Sequence, residues 1–261
     1  MERKGPGGSV ALSGRLRMLA DMVTPGSRLV DVGCDHGFLS IYLVQEGACP
    51  TALAMDVREG PLAAAKRHVE AYGLGEYITL RLSDGLGAYR AGEAEALVCA
   101  GMGGRLMERI LREGMDLAWG MREVILQPQS EIPQFRAFLR EAGFGIVQED
   151  AIREDGKYYF AMKARPGTGG SGQMPAGRGG ERDAAGGGAE DAGTRELYDL
   201  FGEHLLKHRH PVLFAYLRQR RSYLGRLGAD LEAAGSARAD GRLEEVRREL
   251  AQIEEAFCRY G

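Results

Sequence analysis

Between Leu12 and Ala164, short apolar runs of strand length alternate with longer helix-patterned stretches, and this alternation constrains the chain more than any other feature. Strands joined through helices are laid down side by side in one direction, so the pattern predicts an α/β domain whose mostly parallel sheet is covered by helices on both faces. The strand candidates are Arg28–Val32, Ala52–Met55, Ile78–Leu82, Ala96–Cys99, Glu123–Leu126, Gly145–Glu149 and Tyr158–Lys163. They imply a seven-stranded, doubly wound, Rossmann-like sheet over residues 1–164.

The pattern stops abruptly. Of the thirty-one residues from Arg165 to Arg195, eleven are Gly and large apolar residues are almost absent. Such a stretch buries too little to offset its ordering entropy, so 165–195 reads as a flexible linker. From residue 196 to 261 the pattern becomes helical. Leu243, Val246, Leu250, Ile253 and Phe257 fall on one helical stripe, as do Leu213, Leu217, Leu224, Leu227 and Leu231, with Arg220 interrupting the latter. Ala233-Ala234-Gly235-Ser236 separates the stripes and Asp240 is a candidate cap, so a C-terminal α-helical coiled-coil hairpin is expected.

Composition narrows the setting. A formal net charge of -3 gives no global argument for nucleic-acid binding, although a local basic face remains compatible with it. The four cysteines, Cys34, Cys49, Cys99 and Cys258, contain no C-x-x-C pair, so neither a zinc site nor a disulfide framework is expected. No run suits a signal peptide or a membrane span, and a cytoplasmic chain, as a monomer, is the expectation.

Chemistry begins at the first strand end. Leu29-Val30-Asp31-Val32-Gly33-Cys34-Asp35-His36-Gly37 is an apolar strand, an acidic residue and a glycine turn ahead of a helix-like stretch. Glycine lets a ligand approach the backbone, and the helix N-terminus offers unpaired N–H groups. A dinucleotide turn would read G-x-G-x-x-G. Here the turn reads G-x-x-x-G with carboxylates at 31 and 35, which repel a pyrophosphate and attract the sulfonium and ammonium of S-adenosylmethionine. Asp56, with adjoining Val57, closes the second strand, where a carboxylate can hold ribose hydroxyls. Ser83-Asp84-Gly85 closes the third, where Asp84 can accept from an adenine amine. Each residue alone suits an ordinary turn; three successive acidic strand ends suit a ligand site.

The fourth strand ends in Ala100-Gly101-Met102-Gly103-Gly104, either a tight turn or a small-residue wall beside the donor's methionine end. The fifth ends in Leu126-Gln127-Pro128-Gln129, whose amides can pair with an adenine edge.

Asp31-Val32-Gly33-Cys34-Asp35-His36, Ser83-Asp84-Gly85-Leu86, Ala100-Gly101-Met102-Gly103-Gly104 and Leu126-Gln127-Pro128-Gln129, in that order ahead of a helical hairpin, resemble the bacterial tRNA (adenine(22)-N1)-methyltransferases. The likeness spans nearly the whole chain outside the glycine-rich stretch, and the fourth and fifth strand ends are its specific parts. Phe38 and Gln129 depart from the tyrosine and asparagine of the family pattern. The resemblance implies a class I methyltransferase domain, S-adenosyl-L-methionine as donor, tRNA as partner and a coiled coil that helps to engage it.

Adenine N1 carries an in-plane lone pair, so its methylation needs positioning and desolvation more than a strong base, and the base must leave its pair to expose that edge. On this reading Gln127 and Gln129 orient the base and His36 lies near the reacting centre, a position equally suited to a capping histidine. Cys99 suits a buried structural thiol. Candidate phosphate contacts are Lys207, His208, Arg209 and His210 at the hairpin entry and Arg218, Arg220, Arg221 and Arg226 along its first helix, unless nearby glutamates neutralise them. Two other classes share these features: a methyltransferase of small molecules or proteins with the hairpin as a dimerisation element, and a nucleotide-binding module without catalysis.

Overall fold

The computed structural model of the chain describes residues 8–167, 192–234 and 237–260. Ser13 opens α1 (Gly14–Met22) by accepting from the Leu16 N–H, leaving a short amphipathic helix ahead of the first strand. There follow β1 (Leu29–Val32), α2 (Phe38–Gln45), β2 (Ala52–Asp56), α3 (Glu59–Ala71), β3 (Ile78–Leu82), β4 (Ala96–Met102), α4 (Gly104–Glu113), α5 (Met115–Trp119), β5 (Glu123–Pro128), α6 (Ile132–Glu141), β6 (Phe144–Glu154) and β7 (Lys157–Pro166).

The strands form one seven-stranded sheet in the order β3-β2-β1-β4-β5-β7-β6. The first five run parallel, whereas β7 pairs antiparallel with both β5 and β6. This is the mostly parallel, helix-covered sheet that the alternation implied, and it suits the class I methyltransferase domain that the resemblance implied. Every residue of β1 is buried, as a central parallel strand requires. Alternate side chains supply two cores. Leu29 joins Leu19, Ile41 and Leu43 on one face, and Val30 and Val32 join Met107, Leu111 and Phe135 on the other.

Register places the functional turns together. Val32 lies beside Met55 on β2 and Cys99 on β4, so the turns leaving these three strands emerge at one edge. The β4–β5 register shifts between Ala100 and Met102, with Gly101 at a φ of 79° forming the irregularity.

Residues 168–191, most of the expected linker, lie outside the described residues, but its ends are ordered differently from that expectation. Arg165 and Pro166 complete β7, and Ala192 to Arg195 open α7 (Ala192–Phe201). α8 (Glu203–Lys207), α9 (Pro211–Ala234) and α10 (Ala237–Cys258) follow. The last two form the hairpin, with Leu213, Leu217 and Leu224 packed in one cluster with Val246 and Ile253. α10 begins at Ala237, so Asp240 sits in its first turn rather than ahead of it, where its charge still favours the helix dipole. The hairpin does not stand alone. Leu197, Phe201, Leu205 and Leu206 of α7 and α8 are buried in the same cluster as Ala151 of β6 and Phe160 of β7. A buried ion pair, Arg136 to Glu149 at 2.8 Å, adds to this joint, and Arg136 also donates to the carbonyls of Asp199 and Leu200.

Candidate active site

A cavity of about 600 Å³ opens where the turns after β1, β2, β3 and β4 converge. Among the expected donor residues, Asp31, Gly33, Cys34, Asp35, His36, Asp56, Val57, Ser83, Asp84, Gly85, Ala100, Gly101 and Met102 all line it. Asp31 is buried, and its carboxylate accepts from the Ser40 hydroxyl at 2.8 Å. Burial raises its pKa to about 6, with repulsion from Asp56 adding to the shift and the Ser40 bond opposing it. Asp56 is also buried and accepts from the backbone N–H groups of Arg58, at 2.9 Å, and Asp35, at 3.2 Å. Asp35 adopts φ 50°, which turns its N–H back toward Asp56. The floor is tight. A Cβ on Gly33, itself at φ 76°, would fall on Met102 Cε.

Other expected residues are placed differently. Gly103 and Gly104 do not line the cavity; a Cβ on Gly104 would meet the Ser130 carbonyl oxygen at 2.6 Å, so this glycine is a packing requirement between α4 and the turn after β5. Gln127, expected at the rim, is fully buried because β5 continues to Pro128. Its Nε2 donates to the Pro128 carbonyl at 3.2 Å, and its Oε1 accepts from Arg15 Nη1 at 3.1 Å. Gln129 is exposed and does line the cavity. His36 lines it with about half of its side chain exposed, its Nε2 3.7 Å from Asp35 Oδ2. Asp84 is held by Arg109, whose Nη2 donates to Oδ1 at 3.0 Å. Cys99 is buried behind the turn, its thiol directed at Met102 Sδ and its pKa pushed up to about 12 by desolvation.

Three charged residues of the cavity had no sequence signal: Arg15, Arg58 and Arg109. Arg15 comes from α1, sixteen positions ahead of Asp31, at no recognisable spacing from it.

The sequence and the fold have known counterparts. A family model described as "Methyltransferase domain" matches residues 12–162. The tRNA (adenine(22)-N(1))-methyltransferase of Bacillus subtilis is 31% identical over 247 residues, covering 94% of this chain and 97% of that protein. The chain belongs to this methyltransferase family. The crystal structure of the B. subtilis m1A22 tRNA methyltransferase matches with a TM-score of 0.75 at 29% identity, covering 95% of this chain and 99% of that one. Streptococcus pneumoniae Sp1610, solved in complex with S-adenosyl-L-methionine, matches with a TM-score of 0.74 at 32% identity over 94% of this chain and 99% of that one.

For a member of a tRNA (adenine(22)-N1)-methyltransferase family, the state of the hairpin cations matters. Lys207 pairs with Glu203, Arg220 donates to Glu249 at 2.9 Å and Arg221 pairs with Glu254 at 2.7 Å. His210 bonds Asp150 at 3.0 Å, and His208 contacts the His204 carbonyl. Arg209 is exposed at φ 51°. Arg218, Arg226 and Arg248 are exposed and form no ion pair among the described residues. Arg248 lay outside the expected set. No helix among the described residues is long and apolar enough to cross a membrane.

Proposed function

We propose that this protein transfers a methyl group from S-adenosyl-L-methionine to N1 of adenine 22 in tRNA. The observation that carries this reading is the end-to-end likeness to the B. subtilis enzyme, which includes the hairpin as well as the catalytic domain.

The cavity fits the donor on its own chemistry. Buried Asp31 and Asp56 favour a cationic, hydroxyl-bearing ligand and oppose a pyrophosphate. Gly33, whose missing Cβ leaves its place to Met102, keeps the turn after β1 in the left-handed conformation that lines the cavity. When bound, S-adenosyl-L-methionine supplies an electrophilic methyl. Asp31 and Gly33 would hold its amino-acid end, Asp56 its ribose, and Val57 and Asp84 its adenine, the last after exchanging its bond with Arg109. Gln129, on the wall beside Gly101, and His36, which lines the same cavity, would border the acceptor base. Desolvation and alignment then do the rest, because N1 needs no prior deprotonation. Arg218, Arg226 and Arg248 form the readiest phosphate contacts, and tRNA as substrate puts the site of action in the cytoplasm.

Incubating the protein with labelled donor and bulk bacterial tRNA should yield labelled 1-methyladenosine on nucleoside analysis. Label in another nucleoside, or in protein alone, would refute the proposed reaction.

A further inference from the structure

The cavity wall carries four carboxylates, Asp31, Asp35, Asp56 and Asp84, and three guanidinium groups, of Arg15, Arg58 and Arg109. Two of the three cations answer a carboxylate. Arg109 bonds Asp84 and Glu113, and Arg58 Nε lies 3.8 Å from Asp56. The Arg15 guanidinium forms no ion pair among the described residues; its partner is the neutral amide of Gln127, at 3.1 Å, with the Tyr159 ring 5.7 Å from its centre.

That partnership is built rather than incidental. Gln127 is fully buried, and its Nε2 donates to the Pro128 carbonyl, which fixes the amide so that Oε1 faces Arg15. The backbone N–H groups of Gly14 and Arg15 are held by the Glu154 carboxylate, at 2.6 and 3.3 Å, so the start of α1 is anchored to the end of β6. The guanidinium therefore has fixed placement, one hydrogen bond spent and no neutralising charge. A part-buried cation held only by a neutral group is unfavourable on its own and becomes favourable when an anion arrives. Its location narrows the anion further. A Cβ built on Gly101 would lie 3.6 Å from Arg15 Nη1 and 3.8 Å from Gln129 Nε2, which puts Arg15 at the β4 end of the cavity, with the donor's amino-acid end and the acceptor.

We propose that Arg15, oriented by Gln127, is the oxyanion-binding group of this site and receives an anionic oxygen of a bound reactant. The inference rests on the methyltransferase reading above. Two reactants carry the chemistry: the α-carboxylate of the donor and the phosphodiester of the extruded nucleotide. Gln127 acts through Arg15 and is a positioning residue.

The test compares wild type with Arg15→Ala, Arg15→Lys and Gln127→Glu. The last is nearly isosteric and keeps the contact to Arg15, but neutralises it from within. Calorimetry measures affinity for S-adenosylhomocysteine and for methylthioadenosine, which shares the nucleoside and lacks the carboxylate; filter binding measures affinity for a tRNA transcript across salt concentrations. Arg15→Ala and Gln127→Glu should each weaken one anionic reactant by about tenfold to a hundredfold, with partial recovery in Arg15→Lys. A carboxylate source shows as a loss for S-adenosylhomocysteine that methylthioadenosine does not share. A phosphate source leaves both nucleosides bound as in wild type, weakens tRNA and reduces the salt slope by about 0.9. Unchanged affinity for all three ligands in Arg15→Ala, or an equal loss for both nucleosides, would overturn the proposal, since the latter marks a merely structural residue. Wild-type protein that binds donor but never methylates tRNA would contradict the proposed reaction instead, and the binding results would still decide the role of Arg15.

Discussion

Replacing Arg136 with Met probes the joint between the sheet and the C-terminal helices. Both partners of the Arg136–Glu149 pair are almost inaccessible, with 3% and 1% of their side chains exposed. Met fills similar volume but leaves the Glu149 carboxylate with the His204 N–H at 3.1 Å as a remaining partner, and strips a donor from the carbonyls of Asp199 and Leu200. Breaking one side of a buried ion pair costs about 3–5 kcal/mol, and losing the hydrogen bonds to the part-buried carbonyls about 1 kcal/mol more. The sum approaches the roughly 5–15 kcal/mol by which a folded protein is stable. Urea unfolding should therefore show a loss of about 5 kcal/mol for Arg136→Met. Adding Glu149→Leu removes the stranded charge and should recover about 3 kcal/mol of it. A single variant within about 1 kcal/mol of wild type, or a double variant no better than the single, would refute this view of the joint.

Four further outcomes are expected. Because burial raises Asp31 to about 6, above the carboxylate's unfolded value, the ligand-free fold binds the extra proton, and the Asp31 contribution to stability should fall by on the order of 3 kcal/mol as pH rises from about 4 to 6; it is read as the difference between wild type and Asp31→Asn in thermal melts at fixed salt, and an equal pH dependence in the two would contradict it. The same ionisation should make affinity for the cationic donor weaken below about pH 6 in calorimetry, and a flat profile in wild type would contradict the role given to Asp31. Gly33→Ala puts a side chain at a φ of 76° and displaces Met102 Cε on the cavity wall, so donor binding should drop about tenfold while the fold loses about 1–3 kcal/mol. Reversing Arg218 and Arg226 to Glu together should weaken tRNA binding and lower its salt slope by about 2, with donor affinity unchanged; an unchanged slope would remove them from the interface.

The sheet was legible because burial on both faces of a parallel strand leaves apolar runs that end where the chain must turn, and Asp31, Asp56 and Asp84 marked those ends. The hairpin seam was legible for the same reason, in a period of helical spacing. Even Arg220, which interrupts the leucine stripe, is accounted for by its bond to Glu249 across the hairpin. What stayed hidden depended on partners far apart in the chain. Gln127 reads as a rim residue until β5 proves two residues longer than its apolar run, and the buried amide then faces a residue 112 positions away. Arg15 sits in an ordinary amphipathic helix, and nothing local separates it from Arg17, which pairs with Asp21 at the surface. Docking of α7 and α8 on β6 was masked likewise, because Leu197, Phe201, Leu205 and Leu206 fit any short helix until Ala151 and Phe160 are placed opposite them.

Position-specific methylation of one unmodified tRNA transcript is the most direct test of function. A methyl on N1 blocks the pairing edge of adenine, so reverse transcription after incubation with donor should stop one nucleotide 3′ of adenine 22 and read through when that adenine is replaced by guanine. A stop elsewhere, or none despite measured donor binding, would contradict the assignment of this chain to adenine 22.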